Sequence, residues 1–160
     1  MAARAHDYVT RIVWTGDEGA GTRDYTSYSR EHLLTGAGKA EVALSSDPAF
    51  RGDPTRWNPE ELLLASLSSC HMLWYLHLAS QAGIVVRACA DRATGRMVET
   101  DRGGHFEEVV LHPVVTVESG SAETAIRLHH EAHQKCFVAN SVNVPVRCEP
   151  TVTSGPDPAR

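Results

Sequence analysis

The sequence predicts an α+β fold in which antiparallel sheets wrap around two long central helices, on three observations. The stretch Asn58 to Gln81 carries helix-start signals and is apolar on nearly every side. A second stretch, Ser121 to about Lys135, repeats small or apolar residues every three to four positions. The segments around them alternate or are rich in β-branched residues, which gives the order βββ-α-ββ-α-β.

Taken in order, Tyr8 to Trp14 reads as the first strand and Arg23 to Arg30 (RDYTSYSR), which alternates, as the second, the loop TGDEGAGT between them making a hairpin with a wide turn. Lys39 to Ser45 is a third strand, and Asp47 to Trp57, with two prolines, an irregular loop. Asn58 is a good N-cap, Pro59 suits the first helical position, and Glu61 falls where its carboxylate can satisfy a free backbone N–H. Gly83 fits the left-handed position that ends the helix. A helix apolar all round demands more cover than one domain of 160 residues easily gives, so an intertwined homodimer is expected.

Ile84 to Val98 and Phe106 to Glu118 read as two longer antiparallel strands joined around DRGG, with Pro113 marking an edge or a bulge. Ser121 caps the second helix, whose inner face carries Ala122, Ala125, His129, Ala132 and, at its end, Cys136. A last strand runs from about Val144 to Thr153. Residues 1–160 thus form one domain, with 1–7 and 154–160 as flexible ends.

The net charge of -5 and the lack of a Lys/Arg cluster argue against nucleic acid or an anionic membrane surface as partner. The N-terminal MAARAHDYVTRIVW has no apolar core of a signal peptide, and Ser66, Ser68, Ser69, His71 and His77 make the long helix too polar for a bilayer span. A cytoplasmic location is expected. Four cysteines, Cys70, Cys89, Cys136 and Cys148, stand far apart, a pattern that in a reducing compartment points to core filling or catalysis rather than structural disulfides.

Cys89 and Cys148 sit inside strand patterns and read as small hydrophobes. Cys70 differs, because its neighbours Ser68, Ser69 and His71 are polar within an otherwise apolar helix. A thiol there needs a nearby cation to favour the thiolate, and Arg23, Arg30, Arg51 and Arg56 are available upstream. Glu60, in the first helical turn, is suited to hold one of these guanidiniums. It lies about 15 Å along the helix from Cys70, so only a symmetric dimer brings the two together.

NPEELLLASLSSC, followed by the second cysteine in AHQKCFVANSV, resembles the OsmC/Ohr family of thiol-dependent hydroperoxide reductases over about Tyr8 to Thr153. The resemblance implies an OsmC-like intertwined homodimer with shared active sites, in which Cys70 is the peroxidatic thiol, Cys136 the resolving one and Glu60 the holder of an arginine. Arg23 in GTRDY and Arg51 in AFRGD are both retained for that arginine. It further implies an organic hydroperoxide as substrate and a small lipoyl-type dithiol as reductant; no cofactor motif such as a phosphate-binding glycine loop appears, so no cofactor is expected. Phe137 stands where those branches usually carry Pro, which places the chain in a divergent OsmC-like branch.

Two rival readings come from other classes. His129, His133 and Cys136 fall at i, i+4 and i+7 on one helix face, a spacing suited to zinc. The same interface cavity, with idle cysteines, would serve a non-catalytic binder of apolar small molecules.

Overall fold

The computed structural model describes residues 4–119 and 122–155. It holds two compact units, Met1–Leu62 and Leu63–Arg160.

In the first unit, β1 (Arg11–Trp14), β2 (His32–Thr35) and β3 (Val42–Leu44) form an antiparallel sheet in the order β1-β2-β3, with Ile12 opposite Leu34 and Leu33 opposite Ala43. The wide-turned hairpin is present, but its second strand is His32–Thr35 and not Arg23 to Arg30. The alternation of RDYTSYSR misleads because its polar side chains bind local backbone instead of leaving it to a ladder. The Asp24 carboxylate accepts from the Thr26 N–H at 2.8 Å and its hydroxyl at 2.6 Å, and Ser27 Oγ donates to the Gly21 carbonyl at 2.8 Å. Between the strands, the two sides of the turn are linked by an isolated bridge between Asp17 and Tyr28 and by single bonds such as the Ser29 N–H to the Gly16 carbonyl and the Trp14 Nε1–H to the Ser29 carbonyl, not by a ladder.

Helix α1 (Pro59–Gln81) starts in a reciprocal capping box. Asn58 Oδ1 accepts from the Glu61 N–H at 2.8 Å, and Glu61 Oε2 accepts from the Asn58 N–H at 3.1 Å. It ends with Gly83 at φ 71°: the Gly83 N–H reaches the Ser80 carbonyl and the Ile84 N–H reaches that of Ala79, the paired bonds of a glycine-terminated helix.

The second unit is built on one long hairpin bent in its middle. The two strands expected here are each broken, giving β4 (Val85–Asp91), β5 (Thr94–Thr100), β6 (Gly103–Leu111) and β7 (Pro113–Ser119). β5 pairs with β6 and β4 with β7, both antiparallel, and Pro113, which has no N–H to donate, opens β7 just past the bend. Asp91 Oδ1 ties the bend by accepting the His112 N–H at 2.7 Å. The last strand is also divided: β8 (Val146–Cys148) runs parallel to β6, and β9 (Thr151–Ser154) parallel to β7. The sheets are therefore mixed, β4-β7-β9 and β5-β6-β8, where only antiparallel pairing was expected. Helix α2 spans Ala122–Lys135; its expected cap, Ser121, lies outside the described residues.

The bend divides the interior in two. Tyr75, Leu78 and Ala79 of α1 pack with Val115 and Val117 of β7 and with Ala125, Leu128 and Ala132 of α2. One turn or two earlier, Leu67 packs with Val109 and Leu111 of β6, flanked by Val146 and Cys148. His71 falls between these two apolar clusters.

Helix α1 is not covered on every side within the single chain. Leu67, His71, Tyr75, Leu78 and Ala79 are buried, whereas Ser66, Ser69, Leu73 and His77, at spacings of three and four, form an exposed stripe with Leu73 62% exposed. The helix is also less polar than its serines and histidines suggest: by length and a mean hydropathy of 1.3 it passes the composition test for a membrane span. Its inner stripe is spent on α2 and β7, as in the core helix of a globular unit.

Candidate active site

Cys70 sits at the middle of α1, half-buried, and Cys136 directly follows the last residue of α2. Cys70 is near enough to the Cys136 thiol to act on it electrostatically, and neither cysteine is in a disulfide. Cys136 is 1% exposed. Burial pushes its thiol up to about 11, which the Ala139 N–H, 3.5 Å from Sγ, and that of Val138 partly oppose, while Cys70 adds to the rise. Cys136 is thereby held as a neutral thiol beside Cys70.

A hollow of about 410 Å³ opens next to Cys70, lined by Leu73, Trp74, His77 and Phe137. Trp74 and Phe137 meet edge to face, ring centroids 5.4 Å apart, and the Lys135 ammonium lies 5.9 Å from the Trp74 ring. The lining is apolar apart from the thiol and His77, so it suits a hydrophobic group better than a small polar one.

The four arginines separate by what they touch in the first unit. Arg56 pairs with Glu31 at 3.1 Å and Asp53 at 3.5 Å. Arg30 lies against the rings of Tyr25 and Tyr28 and donates to both their carbonyls. Arg23 lies in the turn after β1 and makes no ion pair among the described residues, nor does Glu60 in the first turn of α1. Arg51 closes a short 3₁₀ turn in the left-handed conformation at φ 65°, unusual for a residue with a Cβ. Its loop is tightly held: Asp47 caps the turn through the Ala49 N–H at 2.7 Å, Ser45 Oγ accepts the Asp53 N–H at 3.0 Å, and a Cβ on Gly52 would lie 1.6 Å from the Ser46 carbonyl oxygen. Strain maintained by surrounding bonds is a feature of functional loops.

The set His129, His133 and Cys136 does not assemble. His129 turns to His71, with Nδ1 3.0 Å from His71 Nε2, while Cys136 turns to Cys70. The cluster that does form joins His71, His129 and Cys148, whose donor atoms all lie within 4.8 Å of one another. Cys148 is thus no mere core filler: its Sγ is 3.4 Å from His71 Nε2. The signal was present piecemeal, as one histidine on the buried stripe of each helix, but the strand that supplies the sulfur could not be placed without the bend.

Residues 52–150 match the sequence profile of the family described as OsmC-like protein. Among solved structures, an OsmC-like protein of unknown function from Vibrio cholerae is 29% identical, with a TM-score of 0.83 over 91% of this chain and 99% of that one. An organic hydroperoxide resistance protein from Elizabethkingia anophelis, with thiocyanate bound, is 21% identical (TM-score 0.67; 95% of this chain, 100% of that one). A putative organic hydroperoxide resistance protein from Vibrio cholerae, with captopril in one of its active sites, is 22% identical (TM-score 0.65; 92% and 93%). The last two establish likeness of fold alone. No curated protein matches the sequence.

Proposed function

Because the chain belongs to the OsmC-like family, we propose that it is a thiol-dependent peroxidase that reduces organic hydroperoxides to alcohols, acting as a homodimer in the cytoplasm. The observation that carries this reading is the electrostatic proximity of the Cys70 and Cys136 thiols at the edge of an apolar hollow.

The Cys70 thiolate attacks the distal peroxide oxygen; the O–O bond breaks, the alkoxide takes up a proton and leaves as alcohol, and Cys70 becomes a sulfenic acid. The Cys136 sulfur then attacks Cys70, the sulfenic hydroxyl leaves as water with the Cys136 proton, and a Cys70–Cys136 disulfide forms. A small dithiol of lipoyl type, oxidised in turn, returns the two electrons. Arg51, on its held loop, is the cation that favours the thiolate, with Glu60 orienting it. The helical rise of about 15 Å between Glu60 and Cys70 favours action of this pair on the partner subunit's thiol. The exposed stripe through Leu73 is the surface that the second subunit covers.

The test is a free-thiol count on reduced protein before and after one equivalent of cumene hydroperoxide, with bridge location by mass spectrometry. Loss of two thiols per chain and a Cys70–Cys136 bridge is expected. Unchanged thiols, with cumyl alcohol retained by the hollow in Cys70→Ser as in the wild type, would identify a binder instead.

A further inference from the structure

Three metal-binding side chains, none of them lining the hollow beside Cys70, converge at the seam between the two apolar clusters. His71 comes from the buried stripe of α1, His129 from the inner face of α2 and Cys148 from the end of β8. Both histidines are 1% exposed. Their rings are parallel within 10°, and the facing nitrogens are 3.0 Å apart, with the Cys148 sulfur 3.4 Å from the same His71 nitrogen. One N–H shared between the rings satisfies that edge only. His71 Nδ1 and His129 Nε2, the outer nitrogens, are buried with no hydrogen-bond partner, as is Oδ2 of Asp91. So many unpaired polar atoms in one core are costly unless a ligand repays them.

We propose that His71, His129 and Cys148 form a site for a zinc-type divalent transition-metal ion. Zinc–nitrogen bonds of about 2.0–2.1 Å and a zinc–sulfur bond of about 2.3 Å require donor separations of about 3.3 Å (N to N) and 3.6 Å (N to S) around a tetrahedral ion. The 3.0 Å between the nitrogens and the 3.4 Å from the His71 nitrogen to the sulfur stand within a few tenths of an ångström of that spacing, and all three donors lie within 4.8 Å of one another, so a spreading of the nitrogens, a tilt of the rings off their common plane and a turn of the Cys148 side chain toward His129 admit the ion. Two imidazoles and one thiolate are the ligands that zinc and its neighbours favour, leaving the fourth position for water. Binding moves the shared proton to an outer ring nitrogen and displaces the Cys148 thiol proton to solvent, one proton per ion. The Asp91 carboxylate, which acts electrostatically on both His71 and Cys148, faces the cluster from the end of β4 and favours the cation.

Untagged protein stripped with a chelator is titrated with cobalt(II) and with zinc(II). The expected result is one ion per chain, a thiolate-to-cobalt charge-transfer absorption, release of one proton, and displacement of cobalt by zinc. Cys148→Ser should lose the absorption and bind about a hundredfold more weakly or worse, judged against the smaller losses usual for outer-shell changes. A double variant, Cys70→Ser with Cys136→Ser, should keep the absorption, since neither thiol is a ligand here. Should the serine variant at 148 fail to fold, the double variant still decides. No uptake by the wild type, or an absorption that vanishes with Cys70 and Cys136, overturns the site while leaving the peroxidase assignment standing.

Discussion

Phe137 stands edge-on to Trp74, interplanar angle 89°, and together they wall the hollow beside Cys70. Phe137 is 65% exposed, so it contributes little to folding and its place on the hollow is the better account of it. An edge-to-face contact with a substrate ring is worth about 1 kcal/mol, or about fivefold in affinity. Phe137→Ala should therefore raise KM for cumene hydroperoxide by about that factor, leave hydrogen peroxide consumption nearly unchanged and shift the unfolding midpoint little. Equal effects on both peroxides would remove Phe137 from substrate recognition.

How far the structure could be read from the sequence depended on the range of the interactions involved. The capping box, the glycine terminus and the inner stripe of α2 are local, and the residues that encode them sit within one or two helical turns, so they read directly. The bend at Asp91 and His112 is not local: it depends on strands that meet only after the chain has folded back, and it decides that Cys148 joins His71. That α1 is left partly uncovered follows from the sequence, whereas the side left open, through Leu73, is set by which stripe α2 and β7 take. Apolar residues on all sides specify burial of all sides, and the chain by itself supplies cover for only one.

The capping box gives a prediction about stability alone. Replacing an N-cap side chain by alanine costs about 1 kcal/mol; here it strands the Glu61 N–H, while the Glu61 carboxylate keeps the backbone N–H of residue 58. Urea unfolding of Asn58→Ala should show a loss of about 1–2 kcal/mol with an unchanged slope. Asn58→Asp, which keeps an acceptor and adds a favourable charge at the helix start, should retain most of it. No loss in the alanine variant would mean that the cap bonds are not formed in solution.

The division of labour between the two proposed redox thiols predicts an order of labelling. Cys136 is covered and held protonated, whereas Cys70 borders the hollow. Reduced native protein treated briefly with iodoacetamide near pH 8 should carry label on Cys70 and not on Cys136, as read by peptide mapping, and both should label once the protein is unfolded. Cys136→Ser, treated with peroxide and dimedone, should trap Cys70 as sulfenic acid; trapping at Cys136 in the converse variant Cys70→Ser would reverse the assignment.

Alkaline stability follows from the same thiol. The Cys136 group ionises near 9 when exposed and is raised to about 11 in the fold, facing Cys70 from α1 and the N–H groups of Val138 and Ala139. Below pH 9 the thiol is neutral in both states and its titration leaves stability unchanged. As pH rises from 9 toward 11 the unfolded chain loses that proton and the folded one keeps it, so the unfolded state is favoured by an amount of order 2 kcal/mol, at about 1.4 kcal/mol per pH unit. The thermal midpoint of the reduced protein should accordingly fall between pH 9 and 11, and Cys136→Ala, which removes the titrating group at the expense of a small cavity, should flatten that part of the profile. Forming the Cys70–Cys136 disulfide should flatten it too, since the thiol no longer exists. A profile equally steep in all three forms would place the alkaline loss at another group, with Cys148, raised from the same ordinary value to about 12 by burial, the next to replace.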